Sequence, residues 1–145
     1  MATNTRDLTC TTEDVFRVLA NGWLYPAWVV GASRMRDVDA AWPEVGARLH
    51  HSFGVWPALL DDTTEVLAWD PPRRVVLRAR GWPMGEAQVT LRARTIPSGC
   101  RVRIDEEPVK GPAVLIPRLI TTPMLRWRNA ETLHRLAYLA EGRAG

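Results

Sequence analysis

The chain has 145 residues, of which 46% are hydrophobic and 24% are charged, and its formal net charge at pH 7 is +3. This composition is typical of a globular protein, and no apolar run approaches the ~20 residues that a membrane-spanning helix needs. The amino terminus has no basic flank before an apolar stretch and does not resemble a secretory signal, so we expect one cytoplasmic domain over residues 1–145.

The first elements are a short strand and two short helices. Residues 6–10 are predicted as the strand. The stretch TTED at 11–14 is typical of a helix start, and this helix is expected to run to about Ala20 because Asn21-Gly22 follows. The apolar segment 23–29, which contains a proline, is predicted as a second short helix.

The middle of the chain carries turn signals every eight to twelve residues, which is typical of successive antiparallel strands. These signals are Trp42-Pro43, Asp61-Asp62, Asp70-Pro71-Pro72, Trp82-Pro83 and Pro97-Ser98-Gly99. Between them, apolar and polar residues alternate over 75–80, 87–94 and 100–105. The alternation predicts a sheet of six such strands with one buried face and one face in water.

After Gly111-Pro112 the pattern becomes helical and stays so to the carboxyl end. Pro117 and Pro123 are expected to break or kink this helix, and Gly142 is expected to end it. An apolar stripe at helical spacing runs through Leu133, Leu136, Ala137 and Ala140.

The order of elements is therefore β-α-α-β6-α, which belongs to the α+β class. A sheet with one buried face needs a covering layer, because its apolar side chains must leave water. The last helix is the long amphipathic element available for that role. We expect it to lie across the sheet.

Three stretches carry a resemblance to a known family: VFRVLANGWLYPAWVVGAS, EVLAWDPPRRVVLRAR and RWRNAETLHRLAYLAEGR. Nearly the whole chain resembles the START-like superfamily, also called the helix-grip or SRPBCC fold, and within it the polyketide cyclase/dehydrase and lipid-transport-like group. The resemblance implies a curved antiparallel sheet packed on the C-terminal helix, with a cavity between them for a small, mostly apolar molecule. Such families include binders, transfer proteins and cyclases, so the fold does not select a reaction.

The adjacent histidines His50 and His51 are the first candidate site. Successive strand residues point to opposite faces, so the two side chains cannot share one metal ion in a regular strand. His51 has the parity of Leu49 and Phe53 and is expected to face the core or the cavity, whereas His50 is expected to face outward. His51 is then either a polar contact of a ligand or an interior histidine that only packs.

Aromatic and flexible side chains at predicted strand ends are candidate ligand contacts, because flat rings can stack on an aromatic ligand. Trp56, Trp82 and Met84 lie where a helix-grip cavity would open, and Leu119 and Trp127 could reach it from the last helix. Each of them could equally be a packed core residue. The candidate ligand-binding set is His51, Phe53, Trp56, Trp82, Met84, Leu119 and Trp127.

Glu106 is the candidate carboxylate, because it continues the buried parity of Ile104. If it points inward it needs a partner, and with His51 it would form an acid/base pair. The interpretation that we favour is that the strand ends or bulges at Glu106, which leaves Asp105, Glu106 and Glu107 in solvent.

Six arginines take the outward parity of three consecutive predicted strands: Arg78, Arg80, Arg92, Arg94, Arg101 and Arg103. They could form a basic patch for an anionic partner. The carboxylates of Glu86, Asp105 and Glu107 share that face, so a solvated sheet face is the simpler interpretation. No nucleic-acid-binding motif accompanies these arginines, and nucleic acid is not the expected partner.

The two cysteines, Cys10 and Cys100, match no zinc motif and are expected to be buried, reduced thiols. The resemblance to the helix-grip fold implies that the first and last strands pair. That pairing would bring the two cysteines close together.

The main functional hypothesis is binding of a small hydrophobic or aromatic molecule, lipid or polyketide-like, between the sheet and the last helix. The second is a cyclase or dehydratase that uses His51 and Glu106 as an acid/base pair on a polyketide-like carbonyl compound. The third is an interaction module that uses the arginine-rich sheet face. No cofactor, metal ion or membrane span is expected, and the oligomeric state is left open.

Overall fold

The computed structural model describes residues 2–30, 32–53, 60–81 and 85–144. The α-helices are α1 (Thr12–Ala20), α2 (Tyr25–Trp28) and α3 (Arg118–Ala144), and short 3₁₀ turns at Gly22–Leu24 and Pro112–Leu115 come before α2 and α3. No helix of the described part is long and apolar enough to cross a bilayer.

The strands form one antiparallel sheet in the order β1-β7-β6-β5-β4-β3-β2. Because β1 returns to pair with β7, Ala2 lies opposite Glu106 and Leu8 lies opposite Cys100. The strand bounds are β1 (Ala2–Leu8), β2 (Ala32–Val38), β3 (Arg48–Phe53), β4 (Leu60–Asp70), β5 (Arg74–Gly81), β6 (Gly85–Ile96) and β7 (Gly99–Lys110).

The core lies between the inner face of the sheet, α1 and the C-terminal half of α3. The predicted apolar stripe of α3 packs in this core, and every residue of the stripe is 2% exposed or less. Complete burial of one such leucine side chain contributes roughly 1.5–3 kcal/mol relative to leaving it in water. The sheet side of this core includes Leu49, Val66, Val75, Leu77, Leu91, Val102 and Ile104.

The fold is the α+β helix-grip arrangement, and the expected order of strands and helices is confirmed. At the start of α1, the Thr11 hydroxyl accepts a hydrogen bond from the Asp14 backbone N–H, and the Asp14 carboxylate accepts one from the Thr11 backbone N–H. This reciprocal capping box is the physical basis of the helix start that the threonine pair indicates.

Three local predictions are corrected by the structure. The first strand is Ala2–Leu8 instead of 6–10, because the chain bends at Thr9 and Cys10 to enter α1. The predicted turn at Asp61-Asp62 lies within β4, since both residues pair with β3. Gly142 lies within α3, which continues to Ala144.

Cys10 and Cys100 lie close together, as the resemblance implied. Both are free, buried thiols, and their side chains are hydrogen-bonded to each other. Burial raises the pKa of Cys100 to about 12, so this thiol stays protonated at neutral pH.

Candidate functional site

A cavity of about 350 Å³ lies between the inner face of the sheet and the N-terminal half of α3. This volume falls within the range of small-molecule sites, roughly 300–1,000 Å³. Met124 lines the cavity and is 56% exposed, so the cavity reaches the surface beside α3. Apolar walls are formed by Trp28, Val29, Leu77, Ala79, Ala87, Val89, Ile104 and Leu125.

The helical period of α3 decides which of its side chains reach the cavity. Residues four, seven, eleven and fifteen positions before a given helical residue lie on the same face. Counted back from the core residue Leu136, these positions are Thr132, Asn129, Leu125 and Thr121, and all four line the cavity. One face of the helix thus packs in the core near its end and borders the cavity near its start.

Glu106 and Arg128 form a charged end of the cavity. Glu106 is 5% exposed, and its Oε2 accepts a hydrogen bond from Arg128 Nη2. The favoured sequence interpretation was wrong for Asp105 and Glu106, because β7 continues to Lys110 and both carboxylates are buried. A buried carboxylate needs such a partner, since an unpaired buried charge is strongly destabilising.

Asn129 is a buried amide in the same wall of the cavity, with 2% of its surface exposed. Its Nδ2 has no hydrogen-bond acceptor among the residues that the structure describes. A buried donor left without a partner costs about 1–3 kcal/mol. The amide is therefore available for a hydrogen bond with a molecule in the cavity.

His51 lies behind the cavity wall. It is fully buried, and its Nε2 is 2.8 Å from Thr64 Oγ1, which in turn is 2.9 Å from the hydroxyl of Tyr25. The rings of Tyr25 and His51 stack with their centroids 5.1 Å apart. Tyr25 belongs to the cavity lining, whereas His51 is not among the described lining residues.

Burial sets the protonation of this network. The pKa of His51 is lowered from 6.5 to about 4, mainly by burial; Asp62 opposes this change, and Arg36 and His50 contribute to it. Burial also raises the pKa of Tyr25 to about 12. At neutral pH the imidazole is therefore uncharged and the phenol is protonated, so both side chains can take part in neutral hydrogen bonds.

The two adjacent histidines lie on opposite faces of β3, as the sequence predicts. His50 is partly exposed, and its Nε2 is 2.9 Å from Asp39 Oδ1. Within the described ranges, no three His, Cys, Asp or Glu side chains are grouped so that they could hold a metal ion.

The structure does not bring His51 and Glu106 together as an acid/base pair. His51 is on β3 and Glu106 is on β7, and β4, β5 and β6 lie between these strands in the sheet. The hydrogen-bond partner found for the His51 ring is Thr64, and the one found for Glu106 is Arg128. Of the two, Glu106 is the residue that lines the cavity.

The other candidate ligand contacts differ in what the structure shows. Leu119 and Trp127 are 91% and 76% exposed, because the helical period of α3 turns them away from the face that borders the cavity. Phe53 ends β3, and its side chain is not described. Ligand contact at three positions outside the described residues stays a prediction: Trp56, Trp82 and Met84.

Four polar residues of the site were not predicted from the sequence: Tyr25, Thr64, Arg128 and Asn129. A signal for Asn129 was present, because extending the apolar stripe back from Leu136 by whole turns reaches it. The choice of Leu119 and Trp127 relied on hydrophobicity, which does not give the direction of a helical side chain.

An antiparallel sheet that packs on a long C-terminal helix and encloses an apolar cavity defines a helix-grip protein. Residues 2–141 match the model of the family described as polyketide cyclase / dehydrase and lipid transport, and the chain belongs to this family. No curated protein matches the chain.

Solved structures share this fold at low sequence identity. Protein CV1439 from Chromobacterium violaceum has a TM-score of 0.70 and 19% identity, with 96% of each chain covered. Protein NE0264 from Nitrosomonas europaea has a TM-score of 0.72 and 14% identity, with 97% of this chain and 94% of that chain covered. The di-domain ARO/CYC StfQ from the steffimycin biosynthetic pathway has a TM-score of 0.77 and 12% identity, with 99% of this chain and 51% of that chain covered.

The low pKa of His51 predicts a pH-dependent stability. Because the folded protein binds this proton less readily than the unfolded chain, stability is fully present above about pH 6.5 and is lost as the pH falls toward about 4. The loss from this residue is on the order of 3 kcal/mol. The free energy of unfolding, measured with urea across this pH range, should show this loss in the wild type and not in the variant His51→Phe.

The matched control is His134→Gln, which changes an exposed histidine on α3. This variant should keep the pH dependence of the wild type. Identical pH dependence in the wild type and His51→Phe would contradict the prediction.

Proposed function

We propose that the protein binds a small, mainly apolar molecule, aromatic or lipid-like, in the cavity between the sheet and α3. The observation that carries the proposal is the cavity itself, which has apolar walls and a buried amide, Asn129, with an unused donor. Membership in this family supports a ligand-binding or cyclase role. The apolar lining of the cavity favours a ligand that binds by burying apolar surface.

The polar groups define which end of the ligand carries a hydrogen-bond acceptor. Arg128 borders the cavity beside Asn129 and has N–H groups beyond the one donated to Glu106. Donors from two adjacent residues favour a carbonyl or similar oxygen at this end of the ligand. The apolar body of the ligand would then lie against Leu77, Ala87 and Val89.

Filling the cavity should weaken binding strongly. Ala87 lines the cavity, and the variant Ala87→Phe places a ring in the space of the ligand. We expect the affinity for N-phenyl-1-naphthylamine, an uncharged fluorescent probe, to fall at least about tenfold, because apolar contact area is lost. Fluorescence titration measures the affinity, and a thermal melt checks that the variant is folded.

The control for this experiment is Ala130→Phe, which adds the same ring on the exposed side of α3. It should bind the probe like the wild type. Undiminished binding by a folded Ala87→Phe variant would place the ligand elsewhere and reject the proposed site.

The Asn129 amide should make the cavity prefer a ketone over the matching hydrocarbon. We expect 1-tetralone to displace the probe more strongly than tetralin, and the variant Asn129→Leu to reduce this preference by about tenfold. The ratio of the 1-tetralone affinity to the tetralin affinity is compared between the wild type and the variant. The difference in solvation between the two ligands is the same for both proteins and therefore cancels. An unchanged ratio would show that Asn129 does not contact the ketone.

Gln88→Leu is the control, because it makes the same amide-to-leucine change at a residue that is not among the described lining residues of the cavity. We expect this variant to keep the preference for the ketone. Tetralin binding should be similar in all three proteins.

The second candidate is a cyclase or dehydratase that acts on a polyketide-like carbonyl compound. The observation that favours it is Glu106, a buried carboxylate in the cavity wall next to the cationic Arg128. In a dehydration, Glu106 would take the proton from the carbon beside the ketone. A C=C bond would form as the C–O bond of the β-hydroxyl group breaks, and that group would leave as water after it gains a proton.

The dehydration can be tested with 3-hydroxy-1-tetralone, which gives fluorescent 1-naphthol when it loses water. If Glu106 is the base, Glu106→Gln should lower the rate by a factor of about 10² or more and still bind 1-tetralone. Glu107→Gln, one residue further on β7, should keep the rate. A wild-type rate equal to that in buffer would reject the enzymatic role and leave the binding function intact.

A further inference from the structure

The outward face of β6 and β7 carries closely spaced arginines. Arg92 and Arg94 on β6 lie directly opposite Arg103 and Arg101 on β7, and Arg74 on β5 lies opposite Arg92. These five residues, here called the arginine block, line one groove of about 1330 Å³ on the side of the sheet opposite the cavity. Directly opposed side chains are about 4.5–5.5 Å apart at Cβ, so the positive charges are close neighbours.

Two carboxylates compensate only part of this charge. Asp105 accepts hydrogen bonds from Arg92 Nη1 at 2.9 Å and Arg103 Nε at 3.0 Å, and Asp7 accepts one from Arg101 Nε at 2.6 Å. Arg74 and Arg94 form no salt bridge with any described residue. The block therefore keeps a formal excess of three positive charges.

In the absence of a partner, these neighbouring positive charges lower the stability of the folded sheet. Like charges directly opposite each other on neighbouring strands destabilise a sheet. The side chains of Arg92 and Arg103 are each 50% exposed and that of Arg101 is 40% exposed, so their guanidinium groups can reach a partner. The repulsion would be relieved by external negative charge.

We infer that the arginine block is a docking surface for a carboxylate-rich surface of another protein. The guanidinium group is a planar fork that matches a carboxylate with two parallel hydrogen bonds. The carboxylates of Asp7, Glu13 and Asp70 also line the groove, and they would repel a continuous phosphate backbone while leaving room for separate acidic side chains.

The composition of the groove argues against the other anionic partners. No aromatic side chain is present among its described lining residues, whereas single-stranded nucleic acid is commonly bound by stacking of bases on aromatic rings. Pro72 and Ala93 are its apolar members, so it lacks the large apolar side chains that insert into a membrane surface. Binding to this surface is independent of the ligand in the cavity, because the two lie on opposite faces of the sheet.

The test uses the full chain and a synthetic helical peptide with glutamates at i, i+3 and i+4 spacing, with a glutamine version as control. We expect the glutamate peptide to bind at about 50 mM NaCl and the affinity to fall several-fold by about 300 mM, since exposed charges are screened by salt. The glutamine peptide should not bind.

The decisive variant is Arg74→Gln combined with Arg94→Gln, which removes the two block arginines that make no salt bridge. We expect peptide affinity to fall about tenfold while the melting temperature stays equal to or above that of the wild type, because repulsion is relieved. Arg17→Gln with Arg135→Gln removes the same charge from α1 and α3 and should leave the affinity unchanged. Arg94→Gln alone gives a smaller loss if the double variant does not fold.

Three results would each overturn the inference. The first is that neither peptide binds, or that both bind equally. The second is that the block variant and the control variant bind the peptide with the same affinity. The third is that an oligothymidine strand, or vesicles of phosphatidylcholine with phosphatidylserine, bind through the block more tightly than the glutamate peptide.

Discussion

The structure depends on the burial of one face of α3 against the inner face of the sheet. In the C-terminal half of the helix, that face carries Leu136, Ala137 and Ala140, which are almost completely buried. The small alanines allow the helix to approach its neighbours closely, and the leucine fills the space beside them. The same face continues toward the start of the helix with Leu125 and Asn129, which border an open volume instead of a packed core.

The polar groups of the interior fall into two sets with different physical roles. The set of His51, Thr64 and Tyr25 is neutral and buried, and its hydrogen bonds join β3, β4 and α2 behind the cavity wall. The pair of Glu106 and Arg128 is charged and lies at the cavity. A neutral network costs little free energy to bury once its hydrogen bonds are made. A buried charge needs a partner, and its electrostatic energy changes when a polar ligand group binds beside it.

Much of the fold could be predicted from the sequence, because alternation and helical period are local properties. The separation of His50 and His51 onto two faces of β3 is an example, since it needs only the two-residue period of a strand. The end of β7 could not be placed this way. Three consecutive acidic residues at 105–107 resemble a solvated turn. Asp105 and Glu106 are buried because they pair with arginines, and two of these, Arg92 on β6 and Arg128 on α3, come from other elements.

The candidate site was harder to predict for the same reason. Tyr25 and Thr64 are far apart in the sequence, and their contact with His51 exists only after α2, β3 and β4 are assembled. The opposite error occurred on α3, where Trp127 was chosen for its chemistry although its position in the helical turn directs it to solvent. A side chain can be assigned to a cavity only when its residue type suits a ligand and its position in the helix or strand also directs it toward the cavity.

The alternation of β7 has a consequence for how the protein can change. Ile104 and Glu106 line the cavity on the inner face of the sheet, while Arg103 and the arginine-paired Asp105 lie one residue away on the outer face. A substitution at Ile104 or Glu106 alters the cavity, and one at Arg103 or Asp105 alters the outer face, with little steric effect of one on the other. Neighbouring codons in one short stretch of the gene can therefore be selected independently, so the interior can diversify among descendants without changing the outer surface.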